Sequence, residues 1–274
     1  MPVSEHRGEY RDLYRHLRDP LAAILREAGD LALTASKGPL RQWIKNESSP
    51  VSEADIAVND LLAARLPPLL PAAGWLSEET EDNTARLDKP LIWVVDPIDG
   101  TRGYLAGKPD WSISVALVEN GRPVLAGLYA PVTNEMFLGL RGEGATRNGA
   151  RLGANPGDTL AGARLAGPQG HLRKLAEIAP RILPQPKIHS LALRLTRVAD
   201  GALDAAMASR NSRDWDLAAA DLLVHEAGGV LTDIDGQAPV YNRSNPVHAA
   251  LIAAGAARHA AMLALLRDRR AEFV

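Results

Sequence analysis

The sequence predicts a mixed fold, α+β in its first half and α/β in its second half, and three observations support this prediction. Two segments with helical periodicity come first, short β-type runs separated by turn residues follow, and strands then alternate with helices. The chain has 274 residues, enough for one large domain or two modest ones, each with its own core. We place a boundary near residue 155 and expect two closely packed subdomains, 1–155 and 156–274.

The first two elements are predicted to be helices. Asp19–Pro20 predicts a helix start, because Asp is a common N-cap and Pro suits the first helical position. Apolar residues then recur at helical spacing, and Gly38–Pro39 predicts the end of the helix. We expect a second helix from near Ser52 to the Pro67–Pro68 pair.

The next segment predicts an antiparallel sheet. Asn120–Gly121 between two of its β-type runs is a strong hairpin signal, because both residues tolerate a positive φ. We expect the chain to leave the sheet at Asn148–Gly149 and the stretch Gly153–Gly157. The predicted strands are Trp75–Leu76, Leu91–Val95, Ser112–Val118, Val124–Tyr129 and Met136–Leu140.

The second half predicts an α/β arrangement, because strand-like and helix-like segments alternate along it. The predicted strands lie at Leu165, Ile188, Leu203–Met207, Val230–Thr232 and around Leu251. The predicted helices are Leu172–Ala179, Leu191–Val198, Leu217–Ala227 and a last one from Ala257.

The composition is that of an ordinary soluble globular protein, with 46% apolar and 23% charged residues. There is no cysteine, which excludes disulfides and thiolate metal sites and fits a reducing cytoplasm. The N-terminus has no apolar secretory segment and no run is long enough to span a bilayer, so we expect a cytoplasmic protein without a membrane partner. A net charge of −2 without a basic domain argues against duplex nucleic acid as a partner.

Acidic residues collect where apolar runs end. Asp96 and Asp99 follow one predicted strand, Glu78 follows another, and Asp216 lies at the start of a predicted helix. Each alone has an ordinary explanation as a turn residue, a solvated carboxylate or a helix cap. Mg²⁺ prefers carboxylate, carbonyl and water oxygens, and the Asp96-to-Asp99 spacing allows both carboxylates and the Ile98 carbonyl to converge. Together these residues predict a Mg²⁺ site.

Four segments carry a family resemblance. They are Ser49–Asp55, Ser77–Glu79, Trp93–Thr101 and Trp215–Ala220 with the following Glu226–Gly229. In this order they resemble signatures of the inositol monophosphatase-like superfamily of Mg²⁺-dependent, lithium-sensitive phosphatases, with Ser77 in place of the usual Gly. The resemblance spans about residues 45–233. It implies a layered αβαβα sandwich and hydrolysis of a small phosphomonoester.

The resemblance also implies a ligand set. Glu78, Asp96 and the Ile98 carbonyl would hold one metal, and Asp96, Asp99 and Asp216 would hold a second. We therefore expect two or three Mg²⁺ ions per active site, with Mn²⁺ able to substitute.

The catalytic roles follow from the same resemblance. Asp55 would support a weaker third metal site, and Thr101 with Glu78 would orient the attacking water. Backbone N–H groups around Gly100 and Thr101 would bind the phosphate. Metal ions can activate a water and stabilise the leaving oxygen, so no protein nucleophile is required. The absence of cysteine and of a Gly-x-Ser-x-Gly motif agrees with this chemistry.

Within the superfamily, the chain most resembles 3′(2′),5′-bisphosphate nucleotidases of the CysQ type. Three features carry this resemblance: the amino-acid sequence of Ser49–Asp55, the Tyr129–Pro131 segment, and Arg102 directly after Asp-Gly-Thr. This resemblance implies hydrolysis of the 3′-phosphate of 3′-phosphoadenosine 5′-phosphate to AMP. Arg194 falls where nucleotidases carry a Lys that reaches the second phosphate, and Arg210 would assist it.

Several alternatives stay open. The ester could instead be inositol 1-phosphate, histidinol phosphate or fructose 1,6-bisphosphate, and Arg194 and Arg210 could be surface residues paired with Asp200 or Asp204. A catalytically silent Mg²⁺- or nucleotide-binding module is an alternative of another class, but it would normally have lost a metal carboxylate or Thr101. A homodimer is also open.

Overall fold

The computed structural model describes residues 3–45 and 49–273; residues 1, 2, 46–48 and 274, which the predicted subdomains include, lie outside it. The helices are α1 (Val3–Ala35), α2 (Glu53–Arg65), α3 (Thr101–Leu105), α4 (Gln169–Ile178), α5 (Leu191–Ala199), α6 (Asp214–Glu226) and α7 (Ala256–Leu266). The first strands are β1 (Gln42–Lys45), β2 (Ser49–Ser52), β3 (Gly74–Ser77), β4 (Leu91–Asp99), β5 (Ser112–Glu119), β6 (Arg122–Ala130) and β7 (Glu135–Leu140). The remaining strands are β8 (Gly144–Arg147), β9 (Ala150–Arg151), β10 (Arg164–Ala166), β11 (Leu183–Pro184), β12 (Ala205–Ala208), β13 (Gly229–Asp233) and β14 (Leu251–Gly255).

Two sheets organise the chain. The larger sheet runs in the order β3-β4-β5-β6-β7-β8-β9 and is antiparallel except for the β3–β4 pair. The smaller sheet runs in the order β11-β10-β12-β14-β13 and mixes parallel and antiparallel pairs. β1 and β2 form a separate antiparallel pair that the sequence did not predict.

The layers follow from the alternation of side chains along the strands. In β4, Trp93 and Val95 pack with the apolar faces of α1 and α2. Ile92 and Val94 point to the other face and pack with α5 and α6, which also cover one face of the smaller sheet. The opposite face of the smaller sheet packs against α4 and α7. The order helix, sheet, helix, sheet, helix confirms the predicted αβαβα sandwich.

The predicted start of the first helix was wrong. α1 begins at Val3 and continues through Pro20. A proline inside a helix removes one backbone hydrogen bond, but Tyr14 and Leu17 in the preceding turns are buried in the core. Their packing stabilises the N-terminal half of α1, since tertiary contacts contribute more to helix stability than propensity does.

The strand predicted at Ile188 is also absent. The edge strand is β11, and the backbone N–H groups of His189 and Ser190 instead donate to Asp110, at 2.7 Å to its carboxylate and 2.9 Å to its carbonyl. Because these donors are bound to a loop, they are not available for a β-ladder.

One of the two turn predictions agrees with the structure and the other does not. Asn120 and Gly121 form the expected hairpin turn between β5 and β6, with φ values of 48° and 76°. Asn148 and Gly149, however, connect β8 to β9 within the larger sheet, so the sheet continues to Arg151. The predicted boundary near residue 155 lies in the connection from β9 to β10, and the division into subdomains stays a prediction. Within the described residues, no helix is both long and apolar enough to cross a membrane.

Candidate active site

The acidic residues singled out in the sequence meet around one cavity of about 290 Å³. Its lining includes Glu78, Asp96, Ile98, Asp99, Thr101 and Asp216. The lining also includes Gly100, Arg102, Lys187 and His189. These residues come from the end of β4, the start of α3, the residue after β3, the start of α6 and the loop before α5. The fold therefore assembles one acidic site from segments up to 138 residues apart, the separation of Glu78 from Asp216.

The end of β4 is irregular, and this brings Asp96 and Asp99 to the same cavity. Side chains three positions apart in a regular strand point to opposite faces. Here the pairing of β4 with β5 shifts register between Asp96, opposite Ser114, and Asp99, opposite Ser112. Such a bulge re-aims a side chain and is common beside active sites. Both carboxylates are buried.

Asp96, Asp99 and Asp216 form a cluster suited to a cation. Each offers a carboxylate oxygen within 4.8 Å of the others. Burial, and then the charges of neighbouring carboxylates, raise the pKa of Asp96 and of Asp216 well above the ordinary value. The buried Oδ1 of Asp96 has no hydrogen-bond partner among the described residues. An all-oxygen cluster with an unsatisfied buried carboxylate fits Mg²⁺, which would supply the missing positive charge.

Asp99 is held by the start of α5. Its Oδ2 accepts hydrogen bonds from Ser190 Oγ at 2.5 Å and Ala192 N at 2.6 Å, and its Oδ1 accepts one from Leu191 N at 3.1 Å. Burial raises the pKa of Asp99 to about 6, and these hydrogen bonds oppose the rise because they favour the ionised form. Ser190 was not predicted to be a site residue, although a serine directly before a helix is an N-cap signal and its Oγ accepts from Leu193 N at 2.8 Å.

Asp216 is positioned by the first turn of α6. Its Oδ2 accepts the Arg213 N–H at 2.7 Å in a capping-box arrangement. One oxygen is therefore used to fix the helix start, and the carboxylate remains part of the acidic cluster. This is the predicted place of Asp216 at a helix N-terminus.

Thr101 and Asp55 are in direct contact. The Thr101 hydroxyl lies 3.0 Å from Asp55 Oδ1 and 3.1 Å from the Ile98 carbonyl oxygen. Asp55 Oδ2 accepts from the backbone N–H and hydroxyl of Ser52, at 2.8 and 2.6 Å, which caps α2. Asp55 thus reaches the cavity through Thr101, and its predicted support of a third metal stays a prediction.

Glu78 has a cation beside it. Lys45 Nζ, at the end of β1, lies 3.1 Å from Glu78 Oε1 and 2.5 Å from Glu79 Oε1. The β1–β2 pair therefore brings a lysine to the acidic edge of the site, which the sequence analysis did not anticipate.

Gly100 occupies a position that only glycine fits. Its φ is +93°, and a Cβ built there would lie 2.8 Å from the Ser190 backbone nitrogen. The close approach of Gly100 to Ser190 places the end of β4 against the loop before α5. α3 begins at the next residue, Thr101. Its predicted contact with phosphate through backbone N–H groups stays a prediction.

The two arginines predicted to bind a second phosphate do not line this cavity. Arg194 is partly buried, and its Nε has no hydrogen-bond partner within the described chain. Burial lowers the pKa of Arg194, while the charges of Asp99 and Asp216 act to raise it. Arg210 is exposed.

The alternative pairing of those arginines with surface carboxylates is not seen in the described residues. Asp200 accepts from Arg147 at 3.0 Å and Arg197 at 2.8 Å. Asp204 pairs with Arg164 at 3.0 Å. Asp200 and Asp204 therefore have other partners.

Comparison with known proteins places this site in a family. A model described as the inositol monophosphatase family matches residues 15–270. An inositol-1-monophosphatase of Caulobacter vibrioides is 32% identical over 202 residues, covering 70% of this chain and 78% of that protein. The 3′(2′),5′-bisphosphate nucleotidase CysQ of Aggregatibacter actinomycetemcomitans is 30% identical over 245 residues, covering 84% and 89%. The Nus factor SuhB of Xylella fastidiosa is 34% identical over 219 residues, covering 76% and 78%.

Solved structures agree on the architecture. The extragenic suppressor protein suhB from Bartonella henselae superposes with a TM-score of 0.83 at 26% identity, covering 93% of this chain and 99% of that one. An IMPase of Thermotoga maritima superposes with a TM-score of 0.81 at 25% identity, covering 93% and 98%.

Proposed function

This chain belongs to the inositol monophosphatase family, and from that premise we propose that it is a Mg²⁺-dependent phosphomonoester hydrolase acting on 3′-phosphoadenosine 5′-phosphate. The carboxylate cluster of Asp96, Asp99 and Asp216 carries the first part of the proposal. The CysQ relative, which aligns with 84% of the chain, supports the second.

The residues present fit the metal that the family implies. Asp96, Asp99 and Asp216 would hold Mg²⁺, with Glu78 and the Ile98 carbonyl at the same cavity. When bound, the metal lowers the pKa of water and offsets negative charge on the phosphate oxygens. We further propose two or three Mg²⁺ ions per site, with Mn²⁺ able to replace them.

The chain itself supplies proton handling and orientation. The Thr101 hydroxyl lies 3.0 Å from Asp55 Oδ1 and can donate to it. In this proposal Oγ1 accepts the proton of the attacking water as its own proton passes to Asp55, so the hydroxyl stays neutral and the Asp55 carboxylate is the final acceptor. Glu78 at the same cavity is the second acceptor in this proposal. Because phosphoryl transfer depends mainly on in-line positioning and charge neutralisation, a fixed hydroxyl and carboxylate are sufficient protein groups.

A substrate panel tests the proposal. Initial rates of phosphate release with Mg²⁺ would be measured for 3′-phosphoadenosine 5′-phosphate, inositol 1-phosphate, fructose 1,6-bisphosphate and histidinol phosphate. We expect the highest kcat/KM for the first. A preference for inositol 1-phosphate would favour the alternative that the inositol-1-monophosphatase relatives suggest. Mg²⁺ binding without turnover of any ester would indicate a catalytically silent module.

A further inference from the structure

A second cavity of about 510 Å³ adjoins the catalytic one. Lys187 and His189 line both cavities and so form their common wall. Beyond that wall the lining is partly apolar, with Pro186, Ile188 and Leu203. A molecule with its phosphate at the carboxylate cluster would enter this second space by passing over Lys187 and His189.

The common wall is held in place by Asp110. The Asp110 carboxylate accepts the backbone N–H of His189 at 2.7 Å and lies 2.8 Å from His189 Nδ1. Its backbone carbonyl accepts the Ser190 N–H at 2.9 Å. The His189 side chain also packs closely against Gly103, where a Cβ would lie 2.7 Å from the Cβ of His189. These contacts fix the backbone that carries Lys187 two residues before the histidine.

The charges around the second cavity leave two lysines available to a ligand. Asp110 is engaged by His189, as described. Arg197 is bound to Glu135 at 2.5 Å and Asp200 at 2.8 Å. By contrast, neither Lys108 nor Lys187 has a side-chain hydrogen bond or ion pair within the described residues. Both lysines are exposed at the edge of the cavity, and because no ion pair competes for them, each can donate to an anion bound there.

We propose that the second cavity holds the non-reacting end of the substrate, and that Lys187 and Lys108 bind a second phosphate there. The inference rests on the proposed function, because the reacting phosphate must first occupy the carboxylate cluster. The second phosphate would otherwise face the negative charges of Asp96, Asp99 and Asp216, so cations outside that cluster are needed. Arg194 lies in α5, whose first residues bind Asp99, and it lines neither cavity, so its substitution should not distinguish the two substrates.

Two matched substrates isolate the second phosphate. 3′-Phosphoadenosine 5′-phosphate and adenosine 3′-monophosphate differ only in the 5′-phosphate. The variants are Lys187→Gln, Lys108→Gln and the double variant, compared with Lys89→Gln. Lys89 is exposed and lies two residues before β4, at the opposite end of that strand from Asp96.

We expect each lysine variant to lower kcat/KM for the bisphosphate roughly ten- to a hundredfold, mainly through KM, as for loss of a charge-assisted hydrogen bond. The rate with the monophosphate should change much less, and Lys89→Gln should leave both rates unchanged. Arg194→Gln should lower both rates together.

Three results would overturn the inference. They are equal losses on the two substrates, a wild-type ratio in both lysine variants, or a change of the ratio in Arg194→Gln alone. Failure of the proposed function is distinguishable, because then the wild-type protein would release phosphate from neither nucleotide.

Discussion

The Thr101 hydroxyl and the Asp55 carboxylate lie 3.0 Å apart, across 46 residues of sequence, and the same carboxylate caps α2 through Ser52. Asp55 is thus within hydrogen-bond distance to accept the hydroxyl hydrogen of Thr101. Thr101→Ala should therefore lower kcat roughly 10²- to 10⁴-fold, the span for a positioned proton acceptor, with little change in the Mg²⁺ concentration that gives half-maximal rate. Thr101→Ser keeps the hydroxyl and should restore most of the rate. If the serine variant is as slow as the alanine variant, the hydroxyl is not the acting group.

Asp96 is the carboxylate of the cluster whose buried Oδ1 has no hydrogen-bond partner among the described residues. Asp96→Asn keeps the shape and removes the charge, so it should abolish turnover while leaving the fold intact. In EDTA the variant should unfold at the same temperature as the wild type or higher, because an unpaired buried charge has been removed. Addition of Mg²⁺ should raise the melting temperature of the wild type more than that of the variant. Asp88→Asn, in an exposed 3₁₀ segment, is the control and should be nearly neutral. Equal effects from both substitutions would show that the site has been misassigned.

Alanine substitutions at Gly100 and Gly107 distinguish the cost of backbone strain from the cost of a steric clash. Both have positive φ, 93° and 63°, but a Cβ at Gly107 meets no atom within 4 Å. Gly107→Ala should cost about 1–2 kcal/mol of unfolding free energy through backbone strain alone. Gly100→Ala should cost more and should also lower activity, because its Cβ would displace Ser190, which holds Asp99. Urea unfolding and initial rates check this. Matching losses in the two variants would contradict the proposed contact with Ser190.

Local signals account for what the sequence predicted well. The helix start near Ser52, the Asn120–Gly121 turn and the acidic residues directly after β3 and at the end of β4 are all encoded within a few neighbouring residues. The same holds for Asp216, whose position at a helix start is a local pattern.

Long-range packing accounts for what the sequence did not predict. The start of α1 depends on the burial of Tyr14 and Leu17 against distant strands. Ser190 binds Asp99 from 91 positions along the chain, and only the fold brings them together. Lys108 and Lys187 likewise share a cavity although no motif connects them.

Asp221 in α6 gives a pH-dependent stability that is independent of the active site. Burial raises its pKa to about 6, although Tyr241 donates a hydrogen bond to it at 2.9 Å. The folded-state pKa exceeds the unfolded value, so the ionised carboxylate lowers stability above about pH 6, and this penalty fades as the pH falls toward 4.

Asp221→Asn retains an acceptor for Tyr241 and should raise the free energy of unfolding at pH 8 by up to about 3 kcal/mol, and by less at pH 5. Urea unfolding in EDTA at both pH values measures it. Asp60→Asn, at an exposed position of α2, is the control and should change little. A stability gain that is the same at pH 5 and pH 8 would contradict the assignment of the pKa shift.

Metal dependence of phosphate release tests the central claim most directly. The protein would be treated with EDTA, and release of phosphate from 3′-phosphoadenosine 5′-phosphate and inositol 1-phosphate would be followed as Mg²⁺ or Mn²⁺ is added back. An all-oxygen cluster built on Asp96, Asp99 and Asp216 predicts no turnover in EDTA and recovery with either ion, with inhibition by millimolar Li⁺ as a secondary expectation. Full turnover without a divalent cation would contradict the account.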